Sequence, residues 1–278
     1  MKKLCRLLAL ALALPFALCG CKQAESYASV LDKIQKTGRL VVSMSPDFAP
    51  MEFTDASKTG QDQYVGFDVT LAGYIADALG VELVIEAMDF TACQAAVAEG
   101  GADISISGYS YMPERAENFN LSDFYYAGDN ESEQCILILA SNADALKTGE
   151  DFAGKKVSAQ NASLQMSLLS EQLPDAVANP IVDLNTAVQE LINGYVDAVC
   201  VAKGNGEAFI ATYPELALSE FQFAIEDEGN LVLIPKGEDE LTAKINEILK
   251  GAYDAGLYGG WYADAKALAA TLGIDVSE

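Results

Sequence analysis

From Leu40 to Ser107 short apolar stretches alternate with amphipathic ones, and this alternation limits the chain to a sheet packed between helices. Leu40 to Met44, Glu82 to Ala87 and Asp103 to Ser107 have the length and apolar content of buried strands. Between them, Asp68 to Leu79 carries Val69, Leu71, Ile75, Ala76 and Leu79 on one helical face and closes at Gly80, and Thr91 to Glu99 reads as a second helix. Strand, helix, strand, helix, strand predicts a parallel sheet. A helix from Ser29 to Lys36, stopped by Gly38, precedes the series. Tyr64 to Gly66 reads as a short extra strand, and Pro46, Pro50 and the polar residues 55–63 mark loops around Met51-Glu52-Phe53.

A second series follows. Strands are predicted at Gln134 to Ala140, Lys156 to Gln160, Pro180 to Val182, Asp197 to Val201 and Glu220 to Ile225, with helices at Ser163 to Gln172, Asn185 to Asn193 and Glu207 to Tyr213. After Gly229 come a strand, Leu231 to Ile234, and two helices, Asp239 to Ala255 and Gly259 to Ala270. The two halves share the alternation without an obvious sequence repeat. Ligands gather at the carboxyl ends of the strands in such sheets. Ser45, Phe48, Phe90 and Ser107 all follow directly on strands.

Residues 1–20 carry Lys2, Lys3 and Arg6, no acid, and an apolar run from Leu7 to Leu18 too short to span a bilayer, which together read as a secretory signal. The run ends in Leu18-Cys19-Gly20-Cys21, which resembles the lipobox of bacterial lipoproteins; that resemblance implies a lipid on Cys21 and makes 21–28 a polar spacer. No later stretch approaches the roughly 18 apolar residues of a transmembrane helix, so the mature chain is expected to be soluble but tethered. The sequence holds 41 acidic residues against 17 basic ones and no histidine, for a net charge of −24. Such a surface repels nucleic acid and anionic lipid. The lack of histidine removes Ser-His-Asp and Cys-His nucleophiles and His-ligated metals. Cys93, Cys135 and Cys200 are far apart, with no Cys-x-x-Cys pair, and read as buried apolar residues with room for one disulfide among them. No cofactor or metal site is expected.

The run Ala102 to Arg115 holds the best candidate site. A strand ending at Ser107-Gly108 feeds a helix opened by Pro113, leaving unpaired N–H groups near the turn. Arg115 lies one turn deeper, where its fork of donors can clamp a carboxylate while Ser107 and Ser110 complete the cradle. Read alone, Arg115 is more simply a solvated helix charge paired with Glu114 or Glu117.

The wider sequence favours the anion site, because Gly38 to Val42, Ser45 to Pro50, Val65-Gly66-Phe67-Asp68, Gly101 to Ile104, Pro113-Glu114-Arg115, Leu121-Ser122-Asp123, Gly154 to Val157, Asn193 to Ala198 and Gly256 to Trp261 together resemble the family-3 solute-binding proteins of ABC importers. The resemblance implies a type II periplasmic-binding-protein-like α/β fold of two lobes joined by two crossing hinge strands. Lobe 1 is then 29–128 plus 230–278, and lobe 2 is 129–229. It further implies that Phe48 and Phe90 flank the ligand side chain, that Gly108 and Ser110 hold its head group, that Arg115 takes its α-carboxylate, and that Ser163 and Leu164 offer backbone N–H groups to the same carboxylate. Asp68, Asp103 and Asp197 are read as serving helix starts and turns.

Three departures from the family pattern stand out. Met112 replaces a capping threonine before the Pro113 helix. Ser45 stands where binders of basic amino acids have Asp, which counts against Lys or Arg as ligand. Ala202, beside Lys203, stands where the family has the acid that pairs with the ligand α-ammonium. Either Glu207, Asp129 or Glu131 supplies that charge, or the ligand lacks an α-ammonium. The expected protein is a monomeric, lipid-anchored, extracytoplasmic receptor delivering a small carboxylate, foremost an amino acid, to an ABC permease. An enzyme acting on such a carboxylate, or a ligand-sensing subunit, is the alternative.

Overall fold

The computed structural model describes residues 26–126, 133–225 and 229–273. Cys21, Asp129 and Glu131 lie outside the described residues. The first lobe opens with α1 (Val30–Thr37), β1 (Arg39–Met44), β2 (Asp47–Phe48), β3 (Glu52–Thr54), β4 (Tyr64–Val65), α2 (Phe67–Leu79) and β5 (Glu82–Ala87). It continues through α3 (Phe90–Ala98), β6 (Ile104–Tyr109), α4 (Pro113–Asn118) and β7 (Phe119–Leu121). The second lobe holds β8 (Gln134–Leu139), β9 (Lys156–Gln160), α5 (Leu164–Gln172), β10 (Val177–Ile181), α6 (Leu184–Ile192), β11 (Ala198–Ala202), α7 (Lys203–Thr212) and β12 (Leu216–Gln222). The chain then returns to the first lobe as β13 (Leu231–Pro235), α8 (Asp239–Asp254) and α9 (Leu257–Thr271).

Each lobe is built on a five-stranded sheet, in the orders β5-β1-β6-β13-β7 and β10-β9-β11-β8-β12. The two orders are one plan used twice: a parallel trio, then a strand running against it, then an edge strand paired antiparallel to that one. In the first sheet the opposed strand is β13, which follows the return from the second lobe; in the second it is β8, which follows the departure from the first. Alternate residues face opposite sides of a strand. Leu40, Val42, Met44, Ile104, Ile106, Val232 and Ile234 therefore pack under α1, α2, α8 and α9, while Tyr109, Leu231 and Leu233 pack on the other side with Phe90, Cys93 and Val97 of α3. The second sheet is covered the same way by α5 on one face and α6 with α7 on the other.

A matched device fixes both parallel trios. Asp103 sits before β6 and its carboxylate accepts the Val41 N–H at 2.8 Å, while its own N–H bonds to Val41 O. Asp197 sits before β11 and does the same to Lys156, at 2.8 Å. Each aspartate lies three residues after a glycine at positive φ, Gly100 at 78° and Gly194 at 74°, which turns the chain from helix to strand. These aspartates, read from sequence as serving helix starts and turns, start no helix; each follows a turn and anchors a strand.

The structure departs from the sequence reading in several further places, and β10 starts at Val177, three residues before the predicted Pro180. Residues around Met51 supply the unforeseen β2 and β3, which join the predicted strand at Tyr64–Val65 in a small antiparallel sheet, β2-β3-β4, and Met51, Glu52 and Phe53 are all buried. β7 was not foreseen, and β12 runs over Leu216–Gln222 rather than 220–225, pairing Leu216 with Leu139. α7 starts at Lys203, four residues before the predicted start. Gly204 and Gly206 signal a loop in the sequence, yet a Cβ on Gly206 would lie 2.7 Å from the Leu218 side chain, so this glycine is what lets α7 lie against β12. Cys93, Cys135 and Cys200 are buried free thiols, which settles the disulfide question among the described residues.

Candidate functional site

The lobes meet face to face and hydrogen bonds cross between them. Asp47 Oδ2 accepts Gln160 Nε2 at 3.1 Å and the Leu184 N–H at 3.0 Å, and Asn205 Nδ2 donates to Ala49 O at 2.8 Å. Between the lobes lies a cavity of about 30 Å³ lined by Asp47, Phe48, Glu52, Phe90, Ser107, Gly108, Ser110 and Arg115 from the first, and Gln160, Ser163, Leu164 and Gln165 from the second.

One end of this cavity is built for an anion. Arg115 projects from α4, a single short helix whose Met112 cap contributes no side-chain bond, as its chemistry dictates. Its guanidinium is buried between aromatic faces, 5.5 Å from the Phe90 ring centre and 5.2 Å from that of Tyr109. Nη1 donates to Ser110 O at 2.7 Å, and Nη2 crosses to the second lobe and donates to Ala162 O at 2.8 Å. The reading of Arg115 as a solvated surface charge fails on this burial. Ala162 has a φ of 59° and delivers the chain to Ser163, the cap of α5, whose hydroxyl accepts the Met166 N–H. The amino end of α5 therefore faces the cavity beside Arg115, an arrangement that favours a carboxylate.

The other end is acidic. Glu52 is fully buried; its Oε1 accepts the Ser107 hydroxyl, and Ser107 Oγ in turn accepts the Ser45 N–H at 3.0 Å. Behind Glu52 lies Asp68, also fully buried, which accepts the Gly108 N–H at 2.8 Å and the Tyr125 hydroxyl at 3.0 Å. Burial, and then the neighbouring Asp68 charge, push the Glu52 carboxyl well above the usual range, and burial lifts Asp68 to about 6. Burial also raises Asp47. None of these three acids has an ion-pair partner among the described residues. Asp68 thus braces the cavity floor, and the expectation that it serves the start of α2 does not describe its role.

Gly108 joins the two ends. Its φ of 56° carries β6 on to Tyr109 where a break was predicted, and a Cβ there would lie 2.7 Å from the Phe48 ring. Only glycine lets that ring lie against the strand.

Of the residues predicted from sequence, Phe48, Phe90, Ser107, Gly108, Ser110, Arg115, Ser163 and Leu164 line this one cavity. Ser45 sits beneath it, its hydroxyl donating to Asp47 Oδ1 at 2.8 Å. Ala202 is buried at the end of β11 and does not line it, nor does Glu207; Lys203 is paired with Glu133 at 3.0 Å. Sequence reasoning missed Asp47, Glu52, Gln160 and Gln165. For Glu52 the available signal was an acid set between Met51 and Phe53, which is unusual in a solvated loop.

Two α/β lobes of this sheet order, closing on a bipolar cavity, define a type II periplasmic-type binding protein. Residues 40–264 match the family of bacterial extracellular solute-binding proteins, family 3, and the chain belongs to that family. It is similar to the arginine-binding extracellular protein ArtP of Bacillus subtilis, 28% identical over 90% of this chain and 92% of the relative. A probable histidine-binding protein of Campylobacter jejuni is 28% identical over 88% of this chain and 90% of its own length. Among solved structures, an amino acid ABC transporter substrate-binding protein of Streptococcus pneumoniae bound to L-arginine superposes with a TM-score of 0.78, at 30% identity over 85% of this chain and 97% of that one. The chain is accordingly a bacterial extracellular solute-binding protein, and the relatives named above are amino-acid-binding proteins rather than enzymes.

Proposed function

We propose that this protein is a monomeric, lipid-anchored receptor that captures an amino acid with a basic side chain outside the cell and delivers it to an ABC permease. Glu52 carries the ligand reading: a buried carboxyl group on the cavity wall with no ion-pair partner among the described residues. A buried anion without a partner is costly, and a ligand guanidinium or ammonium supplies that partner. Asp47 and Glu52 provide the negative charge that Ser45 does not, which answers the sequence argument against Lys or Arg. The ligands named for the relatives, arginine and histidine, support the same class.

In this reading Arg115 and the first N–H groups of α5 take the α-carboxylate, and Phe48 and Phe90 flank the side chain. The α-ammonium is left to the Gly108 carbonyl and the Ser110 hydroxyl, because position 202 is alanine. Lobe 1 comprises 29–128 and 230–278, lobe 2 comprises 129–229, and closure takes place about the connections near 129 and 229. Thermal melts with L-arginine, L-lysine and L-histidine test the ligand class, since a ligand bound only by the folded state raises the midpoint. Stabilisation by L-glutamate or L-leucine in place of the basic amino acids would overturn it.

The anchor is Cys21 and its acyl chains. Cys21→Ser is expected to release a folded protein into the medium, and retention of that variant in salt-washed membranes would defeat the anchor reading.

A further inference from the structure

We propose that Glu52 and Asp68 hold a single proton between them in the ligand-free protein, and that the cationic group of the ligand displaces it, so that capture releases a proton. The inference rests on the basic-amino-acid reading and deepens it.

The geometry is that of an acid pair with nowhere to put two charges. Both side chains are fully buried. Glu52 Oε1 is held by the Ser107 hydroxyl, while Oε2 is buried with no other hydrogen-bond partner. Asp68 has both oxygens engaged by donors, the Gly108 N–H and the Tyr125 hydroxyl. Asp68 is therefore the member fitted to be an anion, and Glu52 Oε2 is the atom fitted to carry a proton and donate it to Asp68. The surrounding groups reinforce this choice. Asp47 from β2 adds a second negative charge, and Cys93 of α3, Tyr109 of β6 and Tyr125 all have their acidic protons held on by burial. Arg115 lines the same cavity but bonds to Ser110 O and Ala162 O.

A guanidinium or ammonium arriving beside Glu52 reverses the balance, because it does for the carboxylate what the proton did. The Glu52 O–H bond breaks, its electron pair stays on the carboxylate to face the ligand cation, and the proton leaves to water. Two functional results follow. Affinity rises with pH by up to about tenfold per unit while the proton is held, since one proton is released per ligand. A neutral side chain of the same size leaves the proton in place and gains no ion pair, so the pair favours a cationic ligand over a neutral one.

The test is calorimetry of L-arginine binding to the full folded chain at pH 7 in phosphate and in Tris, whose heats of ionisation differ. The expected result is a buffer-dependent heat corresponding to about one proton released, and affinity that climbs between pH 6 and pH 8. Infrared difference spectra on the same unmodified protein should show a protonated carboxyl stretch that L-arginine removes. Glu52→Gln should abolish both the proton release and the infrared change. Binding with heats independent of buffer, or a carboxyl band untouched by L-arginine, overturns the inference alone. A failure of L-arginine to bind at all overturns the ligand reading and this inference with it.

Discussion

The guanidinium of Arg115 is held by two aromatic rings and two carbonyl oxygens, one of them, on Ala162, belonging to the opposite lobe. Lysine keeps the charge at this position but not the fork, so Arg115→Lys should bind more weakly than the wild type. Arg115→Ala should lose about 2 to 5 kcal/mol of binding free energy, the range for removing one partner of a buried charge pair. Unchanged affinity of the alanine variant in titration calorimetry would remove Arg115 from ligand binding. The acid pair makes a prediction about stability as well. Asp68 is raised from 3.8 to about 6, and burial also raises Glu52 well above its ordinary value, so the folded protein holds protons that the unfolded chain has released. That contribution is complete below the unfolded values and is lost as pH rises through the folded ones. The thermal midpoint of the ligand-free protein should therefore fall between about pH 5 and pH 7, and Glu52→Gln should flatten the fall while weakening ligand binding. Asp32, Asp55 and Asp151, whose values are lowered by hydrogen bonds, act below that window. Parallel profiles for wild type and Glu52→Gln across this range would show that the pair is not protonated in the fold.

At the scale of elements, the long strands and helices were legible because their burial has a period. Asp68 to Leu79 and Asp239 to Ala255 were placed to within a residue at each end, since one face of each is apolar over several turns. β2, β3 and β7 were not, because strands of two or three residues are too short to show alternation. That failure hid Glu52, which shares β3 with Phe53. Gly204 and Gly206 hid the first turn of α7 for the opposite reason: a glycine required by close packing looks like a loop until its neighbour Leu218 is in view. The site was legible where strand ends and the helix opened by Pro113 mark it, and illegible where the chemistry comes from the small sheet or from across the cleft, as with Gln160 and Gln165. The matched aspartates allow a quantitative comparison between the lobes. Asp103 is 1% exposed and is ion-paired to Lys33 at 2.8 Å, whereas Asp197 is 40% exposed and lies 3.9 Å from the Lys155 ammonium. Water can replace the carboxylate only at the second site, so Asp103→Ala should cost about 2 to 3 kcal/mol and Asp197→Ala about 1 kcal/mol or less. Urea unfolding giving equal losses would mean that burial does not distinguish the two anchors.

For the molecule as a whole, the cavity of about 30 Å³ decides what has to move. It has room for a water molecule or two, whereas small-molecule sites are on the order of 300 Å³ or more. Admitting an amino acid requires the lobes to part, and the bonds that cross between them set the cost. Asp47 is central to that cost because one carboxylate oxygen takes two donors of the second lobe, the Gln160 amide and the Leu184 N–H at the amino end of α6. Each such bond to a charged group contributes about 1.5 to 3 kcal/mol. Asp47 also lines the ligand cavity, so its clasp and its contact with ligand have to be separated by experiment. Asp47→Ala removes both bonds and should shift the ligand-free population toward the open form by a factor on the order of 100 to 10,000. Small-angle scattering of the ligand-free variant should then give a larger radius of gyration than the wild type. Saturating L-arginine should draw the variant back to the wild-type profile, because the carboxylate contacts of Arg115 and α5 still reward closure. Identical scattering of variant and wild type without ligand would mean that Asp47 does not hold the lobes together and that their closed arrangement is maintained by the other contacts between them, such as those of Arg115, Asn205 and Thr91.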